Sequence, residues 1–264
     1  MNDTAAIAAL LLIPLLTSVI ETDQRGLLTG LFISLYFLSA LHPALSLVPL
    51  AAAVTVFFLR RPSAGQLSDC VIIKSPAIPF FMVFFVTMLI FCALSGSIFQ
   101  YGAYLRADAA VLQRSKQLAG LAVLAGPLVF GRLCDRRGPL RAAILLALTA
   151  ELSVLLITAS SHFAACFYIG AFLLSMSASG LFITAPLAAS AFLGQPQFLL
   201  TYPFLLPPAL LAYAVSCQLS EQSGVASNPG DFMITLLLLS CLSAFFLRLS
   251  WKRRLTLVTA RRIR

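Results

Sequence analysis

Long apolar runs separated by short polar stretches make up most of this chain of 264 residues. An α-helix needs about 20 apolar residues to cross the hydrocarbon layer of a bilayer. The pattern predicts nine such helices, three before a polar linker and six after it. They cover approximately residues 4–20, 27–41, 43–59, 79–99, 116–130, 139–159, 163–192, 198–217 and 232–249. The predicted fold is therefore all-α, a polytopic membrane helix bundle of about nine transmembrane helices.

The spacing of these helices divides the chain into four regions. We expect a partial N-terminal bundle of three helices in residues 1–59, a cytoplasmic linker in 60–78, a six-helix bundle in 79–250 and a basic cytoplasmic tail in 251–264. The composition agrees with a membrane protein, because 60% of the residues are hydrophobic and only 10% are charged. Soluble domains carry about 25% charged residues.

Positive charge is concentrated on one predicted membrane face. The chain has 18 Lys and Arg residues and a formal net charge of +9. All of them except Arg106, Arg114 and Lys116 lie in four segments that alternating spans place on the same side. Cytoplasmic segments of membrane proteins show this excess. We therefore expect a multi-pass membrane protein with an external N-terminus and a cytoplasmic C-terminus, and not a protein that binds nucleic acid.

The chain lacks the residue clusters of known catalytic or metal sites. Its six cysteines are scattered and include no CxxC pair. His162 and Cys166 are four residues apart, but two ligands alone do not make a zinc site. Neither an HExxH motif nor a Ser-His-Asp set is present. We therefore expect no catalytic residues, no metal, no cofactor and no enzymatic activity.

The densest charge in the interior of the chain lies in GRLCDRRGPLR, between two apolar runs. We predict a short loop from Gly131 to Arg141, turned by Gly131 and Gly138, with Pro139 opening the next helix. Asp135 is an anion that could cap amides or face the positive end of a neighbouring helix. The arginines beside it either bind carbonyls at adjacent helix ends or simply retain the loop in the cytoplasm.

This segment resembles the G-x-L-x-D-R-x-G-R-R/K signature of the major facilitator superfamily. The matching positions are Gly131, Leu133, Asp135, Arg136, Gly138 and the basic Arg141. Pro139 departs from the signature, because the family usually has a basic residue there. The position resembles the copy between the family's helices 8 and 9, which implies helices 7–12 after the linker and helices 4–6 before it. The resemblance implies a partial fold of this family, with helices 1–3 and the first copy of the motif missing from the given sequence.

Glu151 is the only acidic residue deep inside a predicted helix. At 1.5 Å per residue it lies about 18 Å along the axis from Pro139, near the membrane midplane. Ionisable residues at that depth favour proton coupling or solute contact. The resemblance argues for a structural role instead, because helix 9 is a peripheral support helix in that family. Glu151 is our candidate coupling residue, with a structural partnership or a permanently bound proton as alternatives.

Polar residues on predicted helices give candidates for a solute pathway. Ser175 and Ser179 are four apart on one helix face, where small residues also serve close helix packing. The resemblance directs attention to the family's cavity helices, and the candidates on them are Ser95, Gln100, Gln117, Ser175, Ser179 and Tyr202. Residues 180–194 weakly resemble the oxalate–formate and monocarboxylate branch, which makes an organic anion one candidate solute. The predicted helix 198–217 has none of the basic residues that this branch uses.

Two hypotheses for function follow. The first is transport of a small solute by alternating access, by a secondary transporter of the major facilitator type or a truncated form of one. Its partners would be the solute, a proton, the lipid bilayer and another chain that completes the missing helices. The second is a non-transporting relative that acts as a membrane interaction partner or persists as a degenerate remnant.

Overall fold

The structure, a computed structural model, describes residues 25–39, 77–95, 97–104, 109–161, 164–193, 233–239 and 241–249. Within these ranges every residue except Ser97 and Gly138 is helical, and none is in a strand. The predicted all-α fold is confirmed for this part of the chain. The predicted helices 4–20, 43–59 and 198–217, most of the linker 60–78 and the tail 251–264 lie outside the described residues.

Six helices can be delimited in the described residues. They are α1 (Arg25–Ser39), α2 (Ala77–Ser95), α3 (Ile98–Tyr104), α4 (Ala109–Arg137), α5 (Pro139–Thr158) and α6 (Ala164–Leu193). A 3₁₀ turn, Ala159–Ser161, follows α5, and residues 233–239 and 241–249 are also helical. Three of the helices, α4, α5 and α6, are long and apolar enough to cross a membrane. The length and composition of these three helices indicate a membrane-embedded protein.

The predicted loop from Gly131 to Arg141 is wrong. Helix α4 continues through the motif to Arg137, and α5 begins at Pro139, so that Gly138 alone separates them. Arginine favours helices, and nothing between Gly131 and Arg137 removes a backbone donor, so charge alone does not end the helix. The prediction that Pro139 opens the following helix is confirmed.

The boundaries of two other predicted helices also shift. Helix α4 starts at Ala109, earlier than the predicted Lys116, and its polar first turns are part of the helix. The predicted helix 79–99 is divided, because α2 ends at Ser95 and α3 begins at Ile98.

Helix α4 lies between α1 on one side and α6 on the other, and α5 packs mainly against α6. The contact of α4 with α6 is close because small residues meet there. A Cβ on Gly126 would overlap the Met176 carbonyl and the Ser179 hydroxyl of α6. The Phe130 ring covers Gly180 in the same way, and Phe130 is buried. Small residues at such contacts are typical of helix packing in membranes.

The outer surface of the bundle is apolar. Large side chains on α4 and α5 are exposed, among them Leu121, Val129, Leu148, Leu152 and Leu155. In water such a surface would be unfavourable, whereas in a bilayer lipid chains cover it. These residues therefore give α4 and α5 apolar outer faces of the kind that lipid-facing helices have.

Candidate functional site at the contact of helices α1 and α4

The motif residues of α4 face α1 along one side of the helix. Asp135, Gly131, Pro127 and Leu124 recur every three or four positions, so that they share a face. Successive residues of α1 meet them in the opposite order, from Gly26 at the Asp135 end to Ser34 at the Leu124 end. The two helices are therefore antiparallel, and the site lies where α1 begins and α4 ends.

Asp135 binds the first turn of α1 with both carboxylate oxygens. The backbone N–H of Gly26 donates to Oδ1 at 2.6 Å, and that of Leu27 donates to Oδ2 at 2.8 Å. The first N–H groups of a helix have no partner within the helix, and the helix dipole makes that end positive. A carboxylate from another helix therefore supplies the cap. We call this pair of hydrogen bonds the Asp135 clasp. The predicted contact of Asp135 with the positive end of a neighbouring helix is confirmed.

The clasp depends on two glycines that bring the backbones of α1 and α4 together. A Cβ on Gly26 would overlap the carbonyl oxygen of Gly131 and lie 2.7 Å from Asp135 Oδ1. A Cβ on Gly131 would in turn overlap the carbonyl oxygen of Gly26. Only glycine permits this approach, since any other residue would separate the helices and lengthen the hydrogen bonds of the clasp.

The same close contact continues from the clasp along the helices. Gly30 lies on the carbonyl oxygen of Pro127, where a Cβ would also overlap. One turn further on, the hydroxyl of Ser34 donates to the carbonyl of Leu124 at 2.7 Å. Gly26, Gly30 and Ser34 thus form a small-xxx-small-xxx-small series on α1.

Gly138 connects α4 to α5 in a conformation that favours glycine. Its φ is 84° and its ψ is 149°, a region that residues with a Cβ rarely adopt. Its N–H donates to the carbonyl of Cys134 at 2.9 Å, and its own carbonyl accepts from Ala142 at 3.1 Å. One residue therefore ends α4 and starts α5, which explains the glycine of the motif at this position.

The arginines of the motif region take no part in the clasp. They are all exposed, and no described acidic residue forms an ion pair with them: Arg132, Arg136, Arg137 and Arg141. Asp135 lies between two of them in sequence, but its oxygens are directed to the amides of α1. The positive charge at this end of the bundle is consequently available to solvent, lipid or a ligand.

The pathway candidates are not brought together in the described residues. Ser179 is buried at the contact with Gly126, and its hydroxyl donates to the Met176 carbonyl of its own helix at 3.2 Å. Ser175, on the same face, is partly buried, and Gln117 is exposed on α4. The remaining candidates are Ser95 and Gln100, whose side chains lie outside the described part, and Tyr202, which lies outside it altogether.

Glu151 lies on α5, partly buried, at the edge of the face that bears Leu148, Leu152 and Leu155. No described residue forms a hydrogen bond or an ion pair with its carboxyl group. The structure therefore supplies Glu151 with no structural partner in the part of the chain that it describes.

Sequence reasoning identified Asp135 but missed its partners on α1. The signal was available, because the spacing of Gly26, Gly30 and Ser34 is typical of close helix packing in membranes. The pairing itself joins positions 109 apart in the chain. No local pattern indicates which helix start such a carboxylate will meet.

No family model matches the chain, and no curated protein matches it significantly. The resemblance of residues 131–141 to the major facilitator signature stays a prediction from the sequence. It rests on the motif residues alone.

Proposed function

We propose that the chain moves a small solute across a membrane by alternating access, as a secondary transporter of the major facilitator type or a part of one. The observation that carries this proposal is the Asp135 clasp. It joins the acidic residue of the motif to α1, a helix on the other side of the predicted linker in residues 60–78. A contact between two halves at one membrane face is what a rocking transporter must make and break.

The strength of the clasp suits a switch. A hydrogen bond to a charged group contributes about 1.5–3 kcal/mol, so the two bonds to Asp135 together contribute a few kcal/mol. Conformations of a protein that interconvert during function differ by a few kcal/mol. The clasp is therefore strong enough to favour one conformation and weak enough for a solute or ion to shift the balance.

The clasp also closes the space between the halves at its own end. The backbones of Gly26 and Gly131 touch, so no side chain or water layer separates the helices there. In the proposed cycle this is the state closed on the cytoplasmic side, with the cavity open to the opposite face. Breaking the clasp would let α1 move away from α4 and open the cytoplasmic side.

An organic anion is the first solute class to test, with a proton as the coupling ion. The anion is chosen because residues 180–194 weakly resemble the oxalate–formate and monocarboxylate branch. The proton is chosen because Glu151 is an acidic residue within a predicted membrane helix. Of the two pathway candidates on α6, Ser175 is the one whose side chain is only partly buried, so it is the candidate for solute contact.

The test is uptake by purified protein in vesicles, with a panel of mono- and dicarboxylates and an imposed pH gradient. We expect uptake of at least one solute. Asp135→Asn replaces the anion by a neutral amide, so uptake should fall by about tenfold, the equivalent of 1.4 kcal/mol. The matched control is Arg137→Gln, an exposed residue two positions further on that makes no contact in the clasp. It should retain the rate of the parent protein.

Folded, monodisperse protein that moves no member of the panel would contradict the proposal and favour the non-transporting hypothesis. Glu151→Gln addresses the coupling role separately. Uptake that still follows the pH gradient in this variant would remove Glu151 from the coupling mechanism and leave the clasp untouched.

A further inference from the structure

The lipid-facing side of α4 has a regular pattern along its length. Leu121 and Val129 are 61% and 49% exposed, and they lie on one side of the helix. Exposed apolar residues of a membrane helix contact acyl chains. Continued at helical spacing past Val129, this side reaches Arg132 and Arg136, which are both exposed. Two guanidinium groups therefore lie directly beyond the apolar stripe on the side that faces lipid.

The opposite end of the same stripe carries Arg114, which is also exposed. At 1.5 Å per residue, about 27 Å of helix axis separates Arg114 from Arg132. The hydrocarbon core of a bilayer is about 30 Å thick. Arg114 and Arg132 thus bracket the apolar part of α4, and Arg132 and Arg136 lie at the level of lipid headgroups.

Helix α5 repeats the arrangement. Leu148, Leu152 and Leu155 are exposed along one side, and Arg141 lies on the same side near the start of the helix. Because α4 and α5 are joined by Gly138 alone, Arg141 is at the same end of the bundle as Arg136. Both helices therefore present arginine to the headgroups of the same leaflet.

These guanidinium groups lack a counterion among the described residues. Asp135 is engaged with the amides of Gly26 and Leu27, and no described acid pairs with Arg132, Arg136 or Arg141. A guanidinium group presents paired N–H donors that match the oxygens of a phosphate. Charge and geometry thus call for an oxyanion at the level where lipid phosphates lie.

We propose that Arg132 and Arg136 of α4, adjoined by Arg141 of α5, form a binding site for the phosphate of an anionic phospholipid. The acyl chains of this lipid lie along the exposed stripe of Leu121 and Val129. Because this apolar stripe adjoins the arginines, the occupant is a lipid. The site is independent of the proposed transport activity, because it requires only the surface of α4 and α5 and their position in the bilayer.

The experiment titrates the purified full chain in detergent with phosphatidylglycerol or phosphatidylcholine and counts bound lipids by native mass spectrometry. We expect tighter binding of phosphatidylglycerol. A basic residue near an anionic membrane surface contributes about fivefold in affinity, so Arg132→Gln/Arg136→Gln should weaken binding about 25-fold. The matched control is Arg137→Gln, an exposed arginine of the same segment that lies on another side of α4. It should change the affinity less than the single variant Arg136→Gln.

Several outcomes would overturn the proposal. Equal loss in Arg137→Gln and Arg136→Gln would mean general surface charge and no site. Equal binding of phosphatidylcholine would exclude selection for an anionic headgroup. Displacement of the lipid by inorganic phosphate at equimolar concentration would indicate a site for free anions. If the double Gln variant does not purify, Arg136→Gln alone must still weaken binding about fivefold.

Discussion

At Gly131 the α-hydrogen lies where any other residue would carry a Cβ, and the carbonyl oxygen of Gly26 occupies the adjoining space. The hydrogen bonds of Asp135 to the first turn of α1 exist because this pair of glycines permits direct backbone contact. Asp135 supplies the charge of the clasp, and the two glycines allow the short distance between the backbones of α1 and α4. The charge and the close approach of the helices come from different residues, so single substitutions should separate the two contributions.

Gly131→Ala should lower the thermal stability of the purified protein. The added methyl group overlaps the Gly26 carbonyl, and overpacking of this kind costs about 1–3 kcal/mol. The measurement is the melting temperature in detergent. Gly120→Ala is the matched control, because Gly120 lies on the same helix and a Cβ there meets nothing within 4 Å. Alanine favours a helix over glycine, so this control should melt at the same or a higher temperature. Equal effects of the two substitutions would refute the close contact.

The junction of α4 and α5 shows what sequence can and cannot predict at the scale of elements. Pro139 was sufficient to locate the start of α5, because proline suits the first position of a helix. The density of charge from Arg132 to Arg137 predicts a loop, yet these residues belong to the last turns of α4. A charged residue in a membrane helix can extend to the headgroup region, so the end of the apolar run does not determine the end of the helix.

Gly138→Ala should destabilise the protein through the backbone alone. A Cβ at Gly138 meets nothing within 4 Å, but the φ of 84° is unfavourable for a residue with a Cβ. Residues held in such regions cost about 1–3 kcal/mol. The melting temperature should fall for Gly138→Ala and stay near that of the parent protein for Arg137→Ala, which lies in a regular helical position. A stable Gly138→Ala variant would mean that the junction adopts another conformation.

For the whole molecule, hydrophobic patterning predicted a helical membrane protein, and the described residues contain three helices that can span a bilayer. Orientation, the nine-helix topology and the transport activity stay predictions. The pairing of α1 with α4 was beyond local sequence patterns, since it depends on tertiary packing between distant segments. Once the pairing is known, the glycine spacing of α1 and the acid of the motif have a common physical explanation.

The most direct test of the account is whether α1 and α4 separate at the Asp135 clasp. Spin labels at Leu28 and Val129, both exposed in the structure, report the distance between α1 and α4 by double electron–electron resonance in vesicles. The labels are introduced in a background without the six native cysteines. A second pair at Val129 and Leu148 reports α4 against α5 as a rigid reference.

We predict two distances for the Leu28–Val129 pair, and Asp135→Asn should increase the population that shows the longer distance. The Val129–Leu148 pair should give a single distance that the substitution leaves unchanged. One distance for Leu28–Val129 that Asp135→Asn leaves unchanged would show a static bundle. That result would contradict the proposed role of the clasp in alternating access.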